Sequence, residues 1–328
     1  MSVSQPAGAN VAFKQMNFEH PDGPEYARPR GRGQNPAVKK EIESLDPVKD
    51  CQRIAYLMVA YEFPQEINHA LSMAYFGSGA TKAVADILGR SDFRADPVKR
   101  FEDTKFLIWK FMESGWDNDQ GLRAIQHMNK IHGHYKIRNE NFRMALCAFI
   151  TAPIQWIENF GWRKLTDNER QGWFNFWVRI GELMEIEDIV KSPEESAELL
   201  ESYYTGDEEL SEYSPEIGET QFQAFVQFAP WYKKPFERYR IRALMTPGLA
   251  RAYDLKYIPL VGKLPVVFYY KLNALARRYF SKFAYPYNID ADRGLLTYPQ
   301  GTPVVEDAGP TYIVNRIKKK AAEATAAQ

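Results

Sequence analysis

The sequence predicts an all-α protein built as a single helical domain. Between about Asp50 and residue 190, apolar residues recur at three- and four-residue steps, while the strict alternation of a strand is scarce. A content of 45% hydrophobic and 14% aromatic residues over 328 positions is ample for one large core. Composition then divides the chain. Residues 1–48, rich in Pro, Gly, Asn and charge, are expected to form an extended or weakly ordered arm, residues 49–282 the helical domain, and residues 283–328 an irregular tail that frays at "RIKKKAAEATAAQ".

The apolar spacing places helices at 50–61, 65–76, 80–88, 97–114, 119–136, 139–150, 153–160 and 167–185. Thr166-Asp167-Asn168-Glu169 opens the last of these with a capping-box pattern, in which a hydroxyl and a carboxylate satisfy exposed amides. The acidic stretch 191–218 reads as a short helix and a solvated loop, and 219–282 as a further helical section. No internal repeat is present.

Several function classes are disfavoured at once. With 42 Lys+Arg against 42 Asp+Glu, no global field attracts nucleic acid. Cys51 and Cys147 stand far apart outside any C-x-x-C spacing, so free thiols in a reducing compartment are expected. The N-terminus lacks a signal-peptide pattern, and "YIPLVGKLPVVFYYKL" (257–272) is interrupted by Pro259, Lys263 and Pro265, short of a spanning helix. The expectation is an intracellular protein, cytoplasmic or peripherally attached to a membrane, with 257–272 either packed on the core or in contact with the bilayer interface. No nucleophile elbow, Walker loop or dinucleotide fingerprint occurs; "FGSGATKA" (76–83) reads as a turn between helices.

The stretch "MNKIHGHYKI" (128–137) carries the sharpest signal. On a helix over 119–136, Leu122, Ile125, Met128, His132 and Tyr135 share one stripe, whereas His127 and His134 point away from it. The preceding helix carries Arg100, Thr104, Leu107, Ile108 and Phe111 on a comparable stripe. Polar groups on an apolar stripe need partners, because leaving one buried and unpaired costs about 1–3 kcal/mol. His132 is therefore either a hydrogen-bonded core residue or a ligand. Arg100 either pairs with Glu102 or Asp103, snorkels to the surface, or meets a bound group. A non-haem iron site is the competing chemistry. "EINH" (Glu66 to His69) supplies one Glu-x-x-His motif of a di-iron bundle, but the second copy is missing.

Residues 99–189 resemble the MpaB-like oxygenases, which share a catalytic domain with latex-clearing rubber oxygenase. The likeness rests on an Arg-x-x-x-Thr pair (Arg100, Thr104), an Ile-His pair about 30 residues on (Ile131, His132), and a Trp-rich helical core. Weaker likeness reaches 61–88 and 242–259. The resemblance implies a globin-like helical core, haem b with His132 as the proximal iron ligand, and Arg100 and Thr104 beside the haem as candidate catalytic and cofactor-binding residues. It also implies dioxygen as co-substrate and a hydrophobic, isoprenoid-like or polyprenoid substrate; the alternative is a helical haem- or lipid-binding protein without turnover. Rubber oxygenases place a lysine immediately before that threonine, where this chain has Asp103; Lys105, one residue beyond Thr104, faces a different direction. Phe106, Phe149, Trp156, Trp173 and Trp177 are candidates for an apolar substrate tunnel or for the core itself.

Overall fold

A computed structural model describes residues 35–205, 209–280, 289 and 295–326. These form fourteen α-helices with no strand among them: α1 (Pro36–Ser44), α2 (Cys51–Leu57), α3 (Pro64–Ser78), α4 (Lys82–Arg90), α5 (Pro97–Ser114), α6 (Asp119–His132), α7 (Asn139–Phe160), α8 (Asp167–Leu183), α9 (Pro193–Thr205), α10 (Ser214–Gln227), α11 (Lys234–Leu244), α12 (Pro247–Ala252), α13 (Leu260–Phe280) and α14 (Thr311–Ala326). The main core is shared by α2, α3 and α5–α8 around Trp109, Phe106, Phe111, Trp173 and Phe176. A second cluster, around Phe76, Phe222 and Tyr253, joins the end of α3 to α9–α12.

Local chemistry sets the helix starts. Pro97 opens α5 behind Asp96, whose side chain accepts from the Lys99 amide at 3.1 Å. Asn118 caps α6 by accepting from Gln120 N–H at 2.9 Å. The Thr166 capping box forms as the sequence predicts: Glu169 N–H donates to Thr166 Oγ1 at 3.2 Å and Thr166 N–H to Glu169 at 2.8 Å. The same Glu169, together with Glu62, receives Arg163, whose guanidinium lies 4.4 Å from the Phe63 ring centroid. Glu62 closes a π-helical turn over Met58–Glu62 that ends the first predicted helix early.

Three expectations are corrected. The expected break between 150 and 153 is absent, because α7 runs through Pro153. A proline cannot donate to the carbonyl four residues back; here the Trp173 indole donates to that carbonyl, Phe149 O, at 3.3 Å. The arm is not extended to residue 48, since Asn35 caps α1 and Val38 and Ile42 bury against Leu57, Ala60 and Tyr61. Only two large apolar residues, Val38 and Ile42, mark this helix, too few for a periodic signal. Residues 1–34 of the predicted arm lie outside the described residues.

The tail is neither wholly irregular nor frayed at "RIKKK". Val305, Ala308 and, from the first turn of α14, Ile313 enter the main core. Polar groups on α5 and α6 draw it in. Glu102, without solvent exposure, accepts from Leu296 and Thr297 amides at 2.5 and 2.7 Å. Lys99 donates to Gly309 O at 2.8 Å, and Arg123 grips Glu306 at 2.7 Å.

The α5–α6 turn holds these two helices backbone to backbone. Gly115 adopts φ +66°, a region that favours glycine, and a Cβ at Gly121 would sit 1.7 Å from Gly115 O. No flexible atom lies there to yield.

Helix α13 differs from the rest. Its inner face, Val266, Tyr270 and Ala274, is buried, but Leu260, Val261, Leu264, Phe268, Leu272, Leu275 and Phe280 are exposed, Val261 at 78% and Phe268 at 69%. Among the described residues no helix is long and apolar enough to cross a membrane.

Gly121→Ala is expected to lower stability by about 1–3 kcal/mol through overpacking of the α5–α6 turn. Urea denaturation followed by circular dichroism measures it, and an unchanged midpoint would contradict the close approach.

Candidate functional site

Helix α6 ends at His132, with Gly133 as its C-cap, rather than running on to residue 136. That termination separates the histidines. His134 lies beyond the helix, exposed, with Nδ1 2.8 Å from Lys130 O. His127 does point away from the His132 stripe but is buried all the same, because the C-terminal segment covers that face of α6 and Nε2–H donates to Ala308 O at 2.7 Å.

His132 lines a cavity of about 210 Å³ together with Arg100 and Thr104. The three residues singled out from the sequence therefore share one chamber. Its walls are chiefly apolar: Leu107, Ile108 and Phe111 from α5, Met128 and Ile131 from α6, and Phe142, Phe149 and Trp177 from α7 and α8. The His132 ring lies 5.3 Å from that of Phe142. Its Nδ1 is buried with no hydrogen-bond partner among the described residues.

Burial, reinforced by the positive charge of Arg100, depresses the His132 pKa to about 4. The imidazole is accordingly neutral near pH 7 and keeps a lone pair for a ligand. Thr104 Oγ1 donates to Arg100 O at 2.9 Å within α5, which leaves its lone pairs as acceptors. Arg100 is not consumed by its sequence neighbours. Asp103 instead receives Lys99 at 2.6 Å and the Tyr298 hydroxyl, and Glu102 holds backbone amides. Asp103 lines the same chamber with both oxygens engaged, and burial raises its pKa above the ordinary carboxylate value.

Two features of this chamber have no sequence signal. Asn141 Nδ2 is buried with no partner among the described residues, and Tyr75, its phenol pushed up to about 12 by burial, reaches the chamber from α3. Only tertiary packing brings α3 and α7 to α6. Among the five tunnel candidates, Phe149 and Trp177 line the His132 chamber and Trp156 a different cavity, while Phe106 and Trp173 are core residues.

The Glu-x-x-His motif does not assemble a metal site. Glu66 pairs with Arg277 at 3.2 Å; His69 Nδ1 donates to Gln65 O at 2.7 Å and its ring stacks on Trp156. Among the described residues no three His, Cys, Asp or Glu side chains converge on a common point. Cys51 and Cys147 are free and buried, their thiols pushed up to about 12 and about 11 by desolvation, so both are poor nucleophiles.

Fold and chamber together define an all-helical protein with a mainly apolar ligand cavity walled by a neutral imidazole and a guanidinium. The chain belongs to the family described as ER-bound oxygenase mpaB/B'/rubber oxygenase, catalytic domain, whose model matches residues 67–276. It is 26% identical over 156 residues to the ER-bound oxygenases mpaB and mpaB' of Penicillium brevicompactum, covering 45% of this chain and 38% and 35% of those proteins. It is 27% identical over 139 residues to ER-bound oxygenase mpaB of Penicillium roqueforti, covering 40% of this chain and 47% of that protein. The matches thus span less than half of each relative.

The depressed His132 pKa has a consequence for stability. The unfolded state takes up a proton near pH 6.5, the folded state only near pH 4, so stability is full above 6.5 and declines as the pH falls from there towards 4. His69, depressed to about 4 by burial, adds to the same slope. His132→Phe is expected to flatten the pH dependence of the urea midpoint between pH 6.5 and 4; a slope equal to wild type would place His132 in solvent.

Proposed function

We propose that this protein is a haem b-dependent oxygenase that uses dioxygen to oxidise or cleave a hydrophobic, isoprenoid-like chain, with His132 as the proximal iron ligand. The observation that carries the reading is the neutral His132 imidazole, with an unpartnered buried nitrogen, in the wall of a mainly apolar chamber. The donor set fits haem. His132 offers one uncharged nitrogen to iron, Arg100 offers a cation to a propionate or to a polar atom in the chamber, and Phe149 and Trp177 offer flat apolar surface. A cavity of roughly 150 Å³ accepts benzene; this one is larger, and a porphyrin requires its walls to move apart. Held through His132, haem would supply the dioxygen chemistry.

The chain's own residues do the rest. The Arg100 guanidinium stabilises negative charge in a chamber of low polarity, where such an interaction exceeds its worth in water. Thr104 accepts rather than donates, since its proton is committed to Arg100 O. Asp103 stands where rubber oxygenases carry lysine, and its oxygens are held by Lys99 and Tyr298, so its carboxylate is committed within the protein. The apolar walls exclude water.

The exposed apolar face of α13 supports peripheral contact with a membrane through the 257–272 region. Its large side chains form a stripe too long to be left in water without a partner, flanked by Lys263 and Lys271. The names of the relatives place those proteins at the endoplasmic reticulum, which accords with this contact.

Two measurements test the proposal. Haem-loaded protein is expected to consume dioxygen with a linear polyprenoid, and His132→Ala to lower the rate at least about a hundredfold; uptake unaffected by this change would move the iron ligand elsewhere. With anionic phospholipid vesicles, wild type is expected to co-sediment and the Leu264→Glu/Phe268→Glu variant to remain in solution. Equal partition of the two would remove α13 from the membrane contact.

A further inference from the structure

A second, larger cavity of about 530 Å³ lies on the other side of α5, with α3, α10 and α11 contributing its further walls. Most of its lining residues are buried or half-buried. The exposed ones are Phe228, Pro230 and Lys233, all in the short segment between α10 and α11, so the mouth of the cavity lies at this segment. Trp231 and Tyr232 stand in the middle of that rim, 82% and 62% exposed. The other six tryptophans of the chain are buried, so Trp231 is the one large indole left in water.

The rim continues into α13. Phe236 meets Tyr269 edge to face at 5.8 Å, and the Tyr239 hydroxyl donates to Gly262 O, so the exposed aromatics of α11 join the exposed stripe of α13. Charge follows the same surface. The chain as a whole is neutral, yet residues 255–280 contain no Asp or Glu. Lys271 and Arg278 are exposed beside the Phe160 and Tyr279 rings, and Lys233 beside the Tyr232 ring on the rim, none of them with a carboxylate partner among the described residues. Glu237 of α11 is taken by Arg240 at 2.7 Å. Exposed Trp and Tyr favour the headgroup level of a bilayer, an apolar helix face its acyl boundary, and unpaired cations its anionic lipids.

The cavity also leads inwards. A void of about 20 Å³ between α3 and α5 shares Asn68, Ser72 and Phe101 with it, and Tyr75, Thr104 and Phe149 with the His132 chamber. One end of this series of spaces is thus the aromatic rim, and the other is His132.

We infer that the large cavity is a portal from an anionic lipid bilayer. The 228–233 rim seats Trp231 and Tyr232 in the headgroup layer beside α13, and the apolar ligand of the His132 chamber enters through this mouth from the lipid phase rather than from water. The inference rests on the α13 membrane contact and on the His132 chamber being the reaction chamber, and it adds where the ligand comes from.

Trp231 supplies the probe, as the one exposed tryptophan. With vesicles of phosphatidylserine and brominated phosphatidylcholine, wild-type emission is expected to shift to the blue and to be quenched, and Trp231→Phe to show neither change. The Trp231→Ala/Tyr232→Ala variant is expected to bind these vesicles at least about tenfold more weakly. Parinaryl alcohol loaded on the full chain is expected to pass to vesicles at a rate that rises with vesicle concentration. In the double variant that rate is expected to fall and to lose its dependence on vesicles, with the affinity for parinaryl alcohol in vesicle-free buffer unchanged. The portal is overturned by a wild-type transfer rate independent of vesicle concentration, by transfer unchanged in the double variant, or by no binding of parinaryl alcohol at all. Co-sedimentation of wild type without quenching of Trp231 sinks the portal and leaves the α13 contact standing, whereas loss of co-sedimentation sinks both. Failure to take up haem with quenching and transfer intact would sink the oxygenase reading alone.

Discussion

Charge buried along α5 constrains the rest of the structure. Glu102, Asp103 and Glu113 are all nearly inaccessible, and an ionised carboxylate withdrawn from water costs several kcal/mol unless its oxygens are bonded. Partners come from distant sequence: the amides of Leu296 and Thr297 for Glu102, Tyr298 with Lys99 for Asp103, and the Ile289 amide for Glu113. The C-terminal segment is folded back onto α5 and α6 by this demand. It then covers His127 and contributes Gly309 to the His132 chamber.

The same helix carries unlike polar groups, Arg100 and Thr104, on the face that also brings Asp103 to the His132 chamber. Once Glu102 and Asp103 are satisfied by the C-terminal segment and Lys99, Arg100 and Thr104 are left directed at the chamber. Arg100 acts across it, favouring the uncharged form of His132. A neutral imidazole, a guanidinium not neutralised by its neighbours and an unpartnered ring nitrogen are poor contributors to stability. Such departures from local consistency are expected where a site is held ready for a ligand.

Much of this was legible in the sequence, because helical period and capping act locally. The stripe that selected His132, the boundaries of α5, and the Thr166 box all depend on residues within a few turns of one another. What escaped depends on distant partners. A break was expected between 150 and 153 because the Trp173 indole that donates to the carbonyl freed by Pro153 is 20 residues away from that proline. The sequence turned His127 away from the His132 stripe but gave no sign of its burial, because its cover comes from Ala308. The tail looked irregular because its order derives from carboxylates on α5 rather than from its own pattern. Asn141 and Tyr75 lacked any signal, since nothing local to α7 or α3 marks them as cavity residues.

The central claim is that His132 ligates a haem iron within the chamber bounded by α5–α8. Titration of cofactor-free protein with hemin, followed by the Soret band and by quenching of tryptophan fluorescence, tests it most directly, since Trp177 lines that chamber. Saturation of both signals at a single equivalent, with a Soret maximum typical of histidine ligation that His132→Ala abolishes, is the predicted result. A titration without saturation, or one unchanged in folded His132→Ala, would contradict the account.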